Sequence, residues 1–123
     1  MKADPLQSLK KVIAGLEYPS ESDALFELFR WPASGGDDAQ QQVISHAGAN
    51  RKIAQVGVDE FFAALSDSED AARFVKLRRA LAAKLKDLKI FRAGEGEAKV
   101  DIYLIGRTAA GEWAGVHTTS IET

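Results

Sequence analysis

Phe74, Leu77, Leu81, Leu85 and Leu88 recur at steps of three and four residues, and this spacing constrains the fold of the chain most strongly. A period of 3.6 gathers them on one stripe of an α-helix, with Arg78, Arg79, Lys84 and Lys86 mostly off it. Ala80, Ala82 and Ala83 add intrinsic helix preference. Ser66 followed by Glu69 has the spacing of a capping box and predicts where the helix opens. A helix with one apolar stripe must bury it against another layer, so the rest of the chain has to supply that layer.

The end of the chain does so. Val100, Ile102 and Leu104 alternate with Asp101, Tyr103 and Ile105, Thr108–Gly111 reads as a reverse turn, and a return strand is predicted from about Trp113 to Thr119. Ile90 and Phe91 suit a short strand closed by the loop Gly94-Glu95-Gly96. Upstream, Ala24 to Trp31 reads as a strand with apolar residues on both faces, as expected of a sheet covered on both sides. Asp4 and Pro5 suit the start of a first helix carrying Leu6, Leu9, Ile13 and Leu16. Residues 17–23 and 32–38 read as loops. Gln40–Ile44 fits either a strand or a short helix, Lys52–Val56 is a short candidate strand, and Asp59 is placed to cap a helix bearing Phe61, Phe62 and Leu65. The whole is an α+β, three-layer arrangement. At 123 residues it is the size of one domain, 1–123, able to bury roughly two-thirds of its extended surface without a staple.

Several kinds of chemistry drop out. The chain has no cysteine, which removes thiolate catalysis, disulfides and cysteine-based metal sites. His46 and His117 stand 71 positions apart outside any spaced metal motif, and read as a loop histidine and a strand histidine. No serine has a nucleophile-elbow context, and no glycine pair leads into a phosphate-binding lysine. Asp101 is as suited to holding an Arg or Lys as to acting as a base. The residues call for no cofactor and no intrinsic metal. No apolar run approaches a membrane span, and nothing resembles a signal peptide, so cytoplasmic residence is the expectation. The basic residues Arg73 to Lys89 lack any nucleic-acid-binding signature around them, and a solvated helix face explains them without direct nucleic-acid binding.

Charge is uneven. Residues 1–70 carry 6 Lys/Arg against 12 Asp/Glu, whereas residues 71–123 carry 10 against 6. An acidic surface from the first half would favour a basic partner. Glu17, Glu21 and Asp23 share one loop with two serines just before a strand. The last strand runs into Ile121-Glu122-Thr123, where the Glu122 carboxylate, the Thr123 hydroxyl and a terminal carboxylate form an oxygen-rich tip. Such a tip suits a hard cation or a cluster of Arg and Lys on a partner. The plain alternative is that many domains simply end at a strand terminus.

The chain resembles the nuclease A inhibitor family, small inhibitors of sugar-non-specific bacterial endonucleases. The likeness is carried by Pro19-Ser20-Glu21-Ser22-Asp23 leading into Phe26–Trp31, by Val58–Phe62, by Phe74–Leu88, and above all by Val100–Thr108, Ala110-Gly111, Ala114–Val116 and the closing Glu122-Thr123. The resemblance implies an α/β/α sandwich around a small antiparallel sheet. It also implies a protein partner, a ββα-metal endonuclease whose own divalent cation, such as magnesium, lies in the cleft that the inhibitor plugs. By motif the family's C-terminal threonine and loop glutamate fall on Thr123 and Glu21, with Glu17, Asp23 and Glu122 adding charge. The chain departs from the family pattern in being somewhat shorter, in the loop after Trp31, and in having Ser66–Asp70 where typical members carry an acidic insertion with a tryptophan. A regulatory domain of the same fold with a non-nuclease partner is the alternative. A small enzyme would need His46 or His117 beside an acid in a concave pocket.

Overall fold

The computed structural model describes residues 6–32, 38–48 and 50–122. Five strands form one antiparallel sheet in the order β3-β7-β6-β5-β4, where β3 is Glu27–Trp31, β4 Ile53–Val56, β5 Lys86–Ala93, β6 Lys99–Arg107 and β7 Trp113–Ile121. Helices α1 (Gln7–Ile13), α3 (Val58–Ala63) and α4 (Ala71–Lys84) cover one face, and α2 (Ala39–Ala47) covers the other. Strand alternation explains the two cores. Ile90, Ile102, Leu104, Ala114 and Val116 point toward α1, α3 and α4, while Phe91, Ala93, Tyr103, Ile105 and Trp113 point toward α2. The expected α/β/α sandwich is the observed architecture.

The α4 stripe does what its spacing demands. Phe74, Leu77 and Leu81 are buried, and each is worth about 1.5–3 kcal/mol relative to exposure. The boundaries differ from expectation. The helix ends at Lys84, because Leu85 is already extended (φ −125°, ψ 145°), yet Leu85 stays in the same core and Leu88 packs on it from β5. The strand expected at Ile90-Phe91 is therefore eight residues long, with a register shift between Lys86 and Lys89 around Asp87 at φ 55°. No capping box forms at the start. Ser66 Oγ donates to Ala63 O (2.7 Å), Ser68 Oγ donates to Leu65 O (2.8 Å), and these turns carry the chain from α3 into α4 with Asp70 at the N-cap.

Phe26 interrupts the strand expected over Ala24–Trp31. Its ring is buried against Phe74 (centroids 6.0 Å apart) and its N–H donates to Leu16 O (3.3 Å), turned out of line with its neighbours. Ala24–Leu25 becomes β2, paired with β1 (Glu17–Tyr18) in a separate two-stranded sheet, so the acidic loop begins and ends in strand pairing. Gln40–Ile44 is helical. Asp38 accepts from the Gln40 N–H (3.0 Å), Ala39 and Val43 face the sheet, and His46 is thereby a helix residue rather than a loop residue. Gly57, not Asp59, is the N-cap of α3; Asp59 lies in the first turn, where its charge suits the helix dipole, and it pairs with Arg78. The Thr108–Gly111 turn closes as expected, with Gly111 N–H donating to Thr108 O (2.9 Å). The expected Asp4 cap with Pro5, and the glycines at 35 and 36, lie outside the described residues. No described helix is long and apolar enough to cross a membrane.

Candidate functional site

The far end of β7 and the loop between β1 and β2 lie against each other. Ile121 N–H donates to Ser20 Oγ (3.2 Å), a contact across 101 sequence positions. Ser20 Oγ in turn donates to Ser22 O (2.9 Å), and Ser20 N–H donates to Asp23 Oδ1 (3.3 Å), so one serine both shapes its loop and holds the strand. Three residues back along β7, buried Thr118 donates through Oγ1 to Leu25 O (3.1 Å), fixing β2 beside the sheet. Glu21 and Asp23 are exposed on this loop, and Glu17 is exposed at its root opposite Leu25. The structure thus brings Glu17, Glu21 and Asp23 next to the end of β7. Thr123 lies outside the described residues.

Glu122, expected as part of the oxygen-rich tip, is held within the fold. Its N–H donates to Ala98 O (2.8 Å), and its Oε2 accepts from Ser120 Oγ (2.8 Å) and from the Arg92 guanidinium. Arg92 also bonds Glu95, so one cation on β5 ties the β5–β6 turn to the strand end. The Arg92 hydrogen bond holds the Glu122 carboxyl below its ordinary range, with Ser120 adding to it and partial desolvation opposing. Beside them, burial pushes the Tyr18 phenol up, with Arg92 lowering it and Glu122 raising it. Tyr18 stacks on Phe61 (5.8 Å), which links this polar cluster to the α3 side of the core.

Beside the same β1–β2 loop, Glu17, Asp23, Glu27, Lys99, His117 and Thr119 line an open cleft of roughly 540 Å³. His117 Nε2 donates to Asp101 Oδ1 (2.9 Å), and the second Asp101 oxygen accepts from Arg51, which also reaches Glu97 (3.3 Å) and Lys99 O (2.9 Å). Burial works to raise the Asp101 carboxyl, but the hydrogen bonds and charges of Arg51 and His117 outweigh it and hold the group low. Asp101 therefore holds an arginine, one of the two roles its sequence position left open.

His46 is elsewhere. Its ring stacks on Trp31 at 3.6 Å, and Trp31 pairs with Trp113, four strand positions from His117. That is a separation of about 13 Å along the strand. The histidines form no joint site. Among the described residues no group of three or more His, Asp or Glu side chains is placed to hold a metal ion. Ser20 and Arg92 emerge only from the fold. Arg92 has a local partner in Glu95 but no sequence signal for Glu122, which lies 30 positions away, and Ser20 is an ordinary loop serine until the strand end is beside it.

Among the described residues, the polar groups of this region concentrate on a strand end and its neighbouring loop. The chain belongs to the nuclease A inhibitor family: the family model described as "NuiA: Nuclease A inhibitor-like protein" matches residues 3–123. No curated protein matches it significantly.

Proposed function

We propose that this protein is a stoichiometric, non-enzymatic inhibitor of a sugar-non-specific, metal-dependent endonuclease of the ββα-metal type. It acts in the cytoplasm as a single domain and blocks the active-site cleft with Thr123 and the acidic loop. The observation that carries the reading is the Ile121–Ser20 hydrogen bond, which sets the strand end and the Glu21 loop side by side. Family membership supports a nuclease as partner. A nuclease cleft holds phosphate oxygens with a cation and basic side chains, so carboxylate and hydroxyl oxygens on Thr123 and Glu21 imitate the scissile phosphate. Glu17 and Asp23 extend the negative surface toward basic residues at the cleft rim.

Titrating such a nuclease with the protein is expected to bring activity to zero near one equivalent. Deleting Thr123, or making Glu21→Ala, is expected to weaken inhibition while leaving the thermal midpoint unchanged. Full inhibition by both variants would refute the mechanism.

A second reading, a regulatory domain with a non-nuclease partner, is favoured by one feature. An open groove of roughly 610 Å³ between α3 and α4 is lined by Phe62, Leu65, Phe74, Val75 and Arg79, and Val75 is half exposed. Capture of a partner through this groove by a protein that inhibits no nuclease of this type would establish it.

A further inference from the structure

We infer that Ser20 and Arg92 are positioning residues of the inhibitory tip, acting through Ile121 and Glu122 rather than touching the nuclease. The inference rests on the inhibitor reading and adds how the tip is aimed. A chain end is ordinarily the most mobile part of a domain. Here the last described turn of chain is held from three elements. The β1–β2 loop supplies Ser20 Oγ to the Ile121 N–H, the β5–β6 turn supplies Ala98 O to the Glu122 N–H, and β5 supplies Arg92 to the Glu122 carboxylate, with Ser120 as a second donor. Both consecutive amides before residue 123 are therefore bonded to loops outside β7, and the Glu122 side chain is fixed as well. This fixes the direction in which the chain leaves the sheet. Ser20 serves both halves of the site, because the hydroxyl that holds Ile121 also closes the turn carrying Glu21. Arg92, shared between Glu95 and Glu122, and Ser120 hold the Glu122 carboxylate within the fold, so it works as an anchor, and the phosphate-like role falls to Thr123 and Glu21.

Locking a flexible segment in its bound geometry improves affinity by removing an ordering cost, and the effect falls on dissociation more than association. Two measurements test the inference. The first needs no partner: amide exchange of Ile121 and Glu122 in the free protein. In Ser20→Ala, Ile121 exchange is expected to rise at least about tenfold, with the amides of residues 102–105 and 114–117 unchanged; in Arg92→Gln, Glu122 exchange is expected to rise. Unchanged exchange in both would overturn the tether itself. The second is inhibition of a ββα-metal endonuclease. Ser20→Ala and Arg92→Gln are each expected to inhibit about tenfold less tightly, through faster dissociation, and Ser20→Thr, which keeps the hydroxyl, is expected to restore inhibition.

In a Thr123-deleted background Ser20→Ala is expected to cost much less than it does in the full chain, since its tip-positioning role has gone. Full additivity would overturn positioning. Normal inhibition by Ser20→Ala and Arg92→Gln, with inhibition lost on Thr123 deletion, would refute the inference alone. Unimpaired inhibition after Thr123 deletion would refute the tip reading and this inference with it.

Discussion

Gly115 sits in the middle of β7, opposite Ile105 on β6 and Phe29 on β3, where a side chain has no room. A Cβ at this position would lie 1.8 Å from Leu104 O, 2.9 Å from Leu104 C and 3.2 Å from Ile105 Cα, all backbone atoms. Ordinary contact begins near 3.4 Å, so for Gly115→Ala the β6 backbone must retreat by 1.6 Å at Leu104. Strands are spaced about 4.8 Å apart, and a displacement of that size breaks the neighbouring ladder bonds instead of stretching them. Losing two or three backbone bonds at about 1 kcal/mol each, together with the packing of Ile105 and Phe29, gives a destabilisation of about 3–5 kcal/mol. For a domain whose whole stability is about 5–15 kcal/mol, this lowers the thermal midpoint by more than about 10 °C. Circular dichroism melting of the purified variant measures it. Gly57→Ala is the control, because a Cβ there meets only the side chain of Glu60; as the N-cap of α3 it is expected to cost about 1 kcal/mol and lower the midpoint by roughly 3–5 °C, well short of Gly115→Ala. A Gly115→Ala protein that melts with the control would refute the claim that β6 and β7 are in backbone contact at this point.

Leu81 is fully buried between α4 and the sheet, so Leu81→Ala is expected to cost about 2–5 kcal/mol in a urea melt with unchanged m-value. Asp101 and Glu122 both have carboxyls held below their ordinary range, so the stability they contribute is present above the unfolded carboxylate value near 4 and is lost as pH falls through the lower folded values. Urea midpoints taken from pH 7 downward are therefore expected to decline below about pH 4, and Asp101→Asn to flatten that decline while costing about 2 kcal/mol at pH 7. An undiminished slope in the variant would exclude Asp101 as a source. His46→Ala removes the ring stacked on Trp31 and is expected to shift the tryptophan emission at a stability change below about 1 kcal/mol. Identical spectra would show that the stack does not form in solution.

The elements whose signal is local were legible in the sequence, and the boundaries that depend on tertiary partners were not. Phe74, Leu77 and Leu81 share a helical face, and Val100, Ile102 and Leu104 alternate against Asp101 and Tyr103; both patterns place residues where burial puts them. The stripe overran its helix because Leu85 is buried in the same core, and Leu88 partly buried against it, from extended chain, and a step of three or four across the junction looks the same in either conformation. Phe26 broke its strand because Phe74 and the Leu16 carbonyl, both distant in sequence, supply its partners. The Ser66/Glu69 spacing failed because a serine hydroxyl bonds a preceding carbonyl as readily as a following amide, and here Ala63 O was available. At the site, the acids of the loop were readable one by one. The bonds that hold the strand end, Ser20 from the acidic loop with Ile121 and Arg92 from β5 with Glu122, span 101 and 30 positions and leave no periodic trace.

Those two bonds also explain how the uneven charge along the chain is used. An acidic first half and a basic second half need not give an acidic and a basic side, since folding interleaves them. Here Arg92, from the basic half, bonds both Glu95 and Glu122 and makes the latter a structural anchor, and Arg51, from the acidic half, bonds both Glu97 and Asp101. Near the strand end Glu17, Glu21 and Asp23 are exposed on a two-strand scaffold beside β7, with Lys99 exposed opposite Ile121, while Lys76, Arg79 and Lys84 lie exposed on α4. A surface sorted in this way can steer a basic cleft toward one end of the molecule. Steering alone gives rate rather than residence, and residence requires that the oxygens arriving at the cleft already hold their bound geometry. Backbone ordering costs about 1–2 kcal/mol per residue, and for an inhibitor acting as proposed, pinning Ile121 and Glu122 within the fold would remove that cost from the binding step for both.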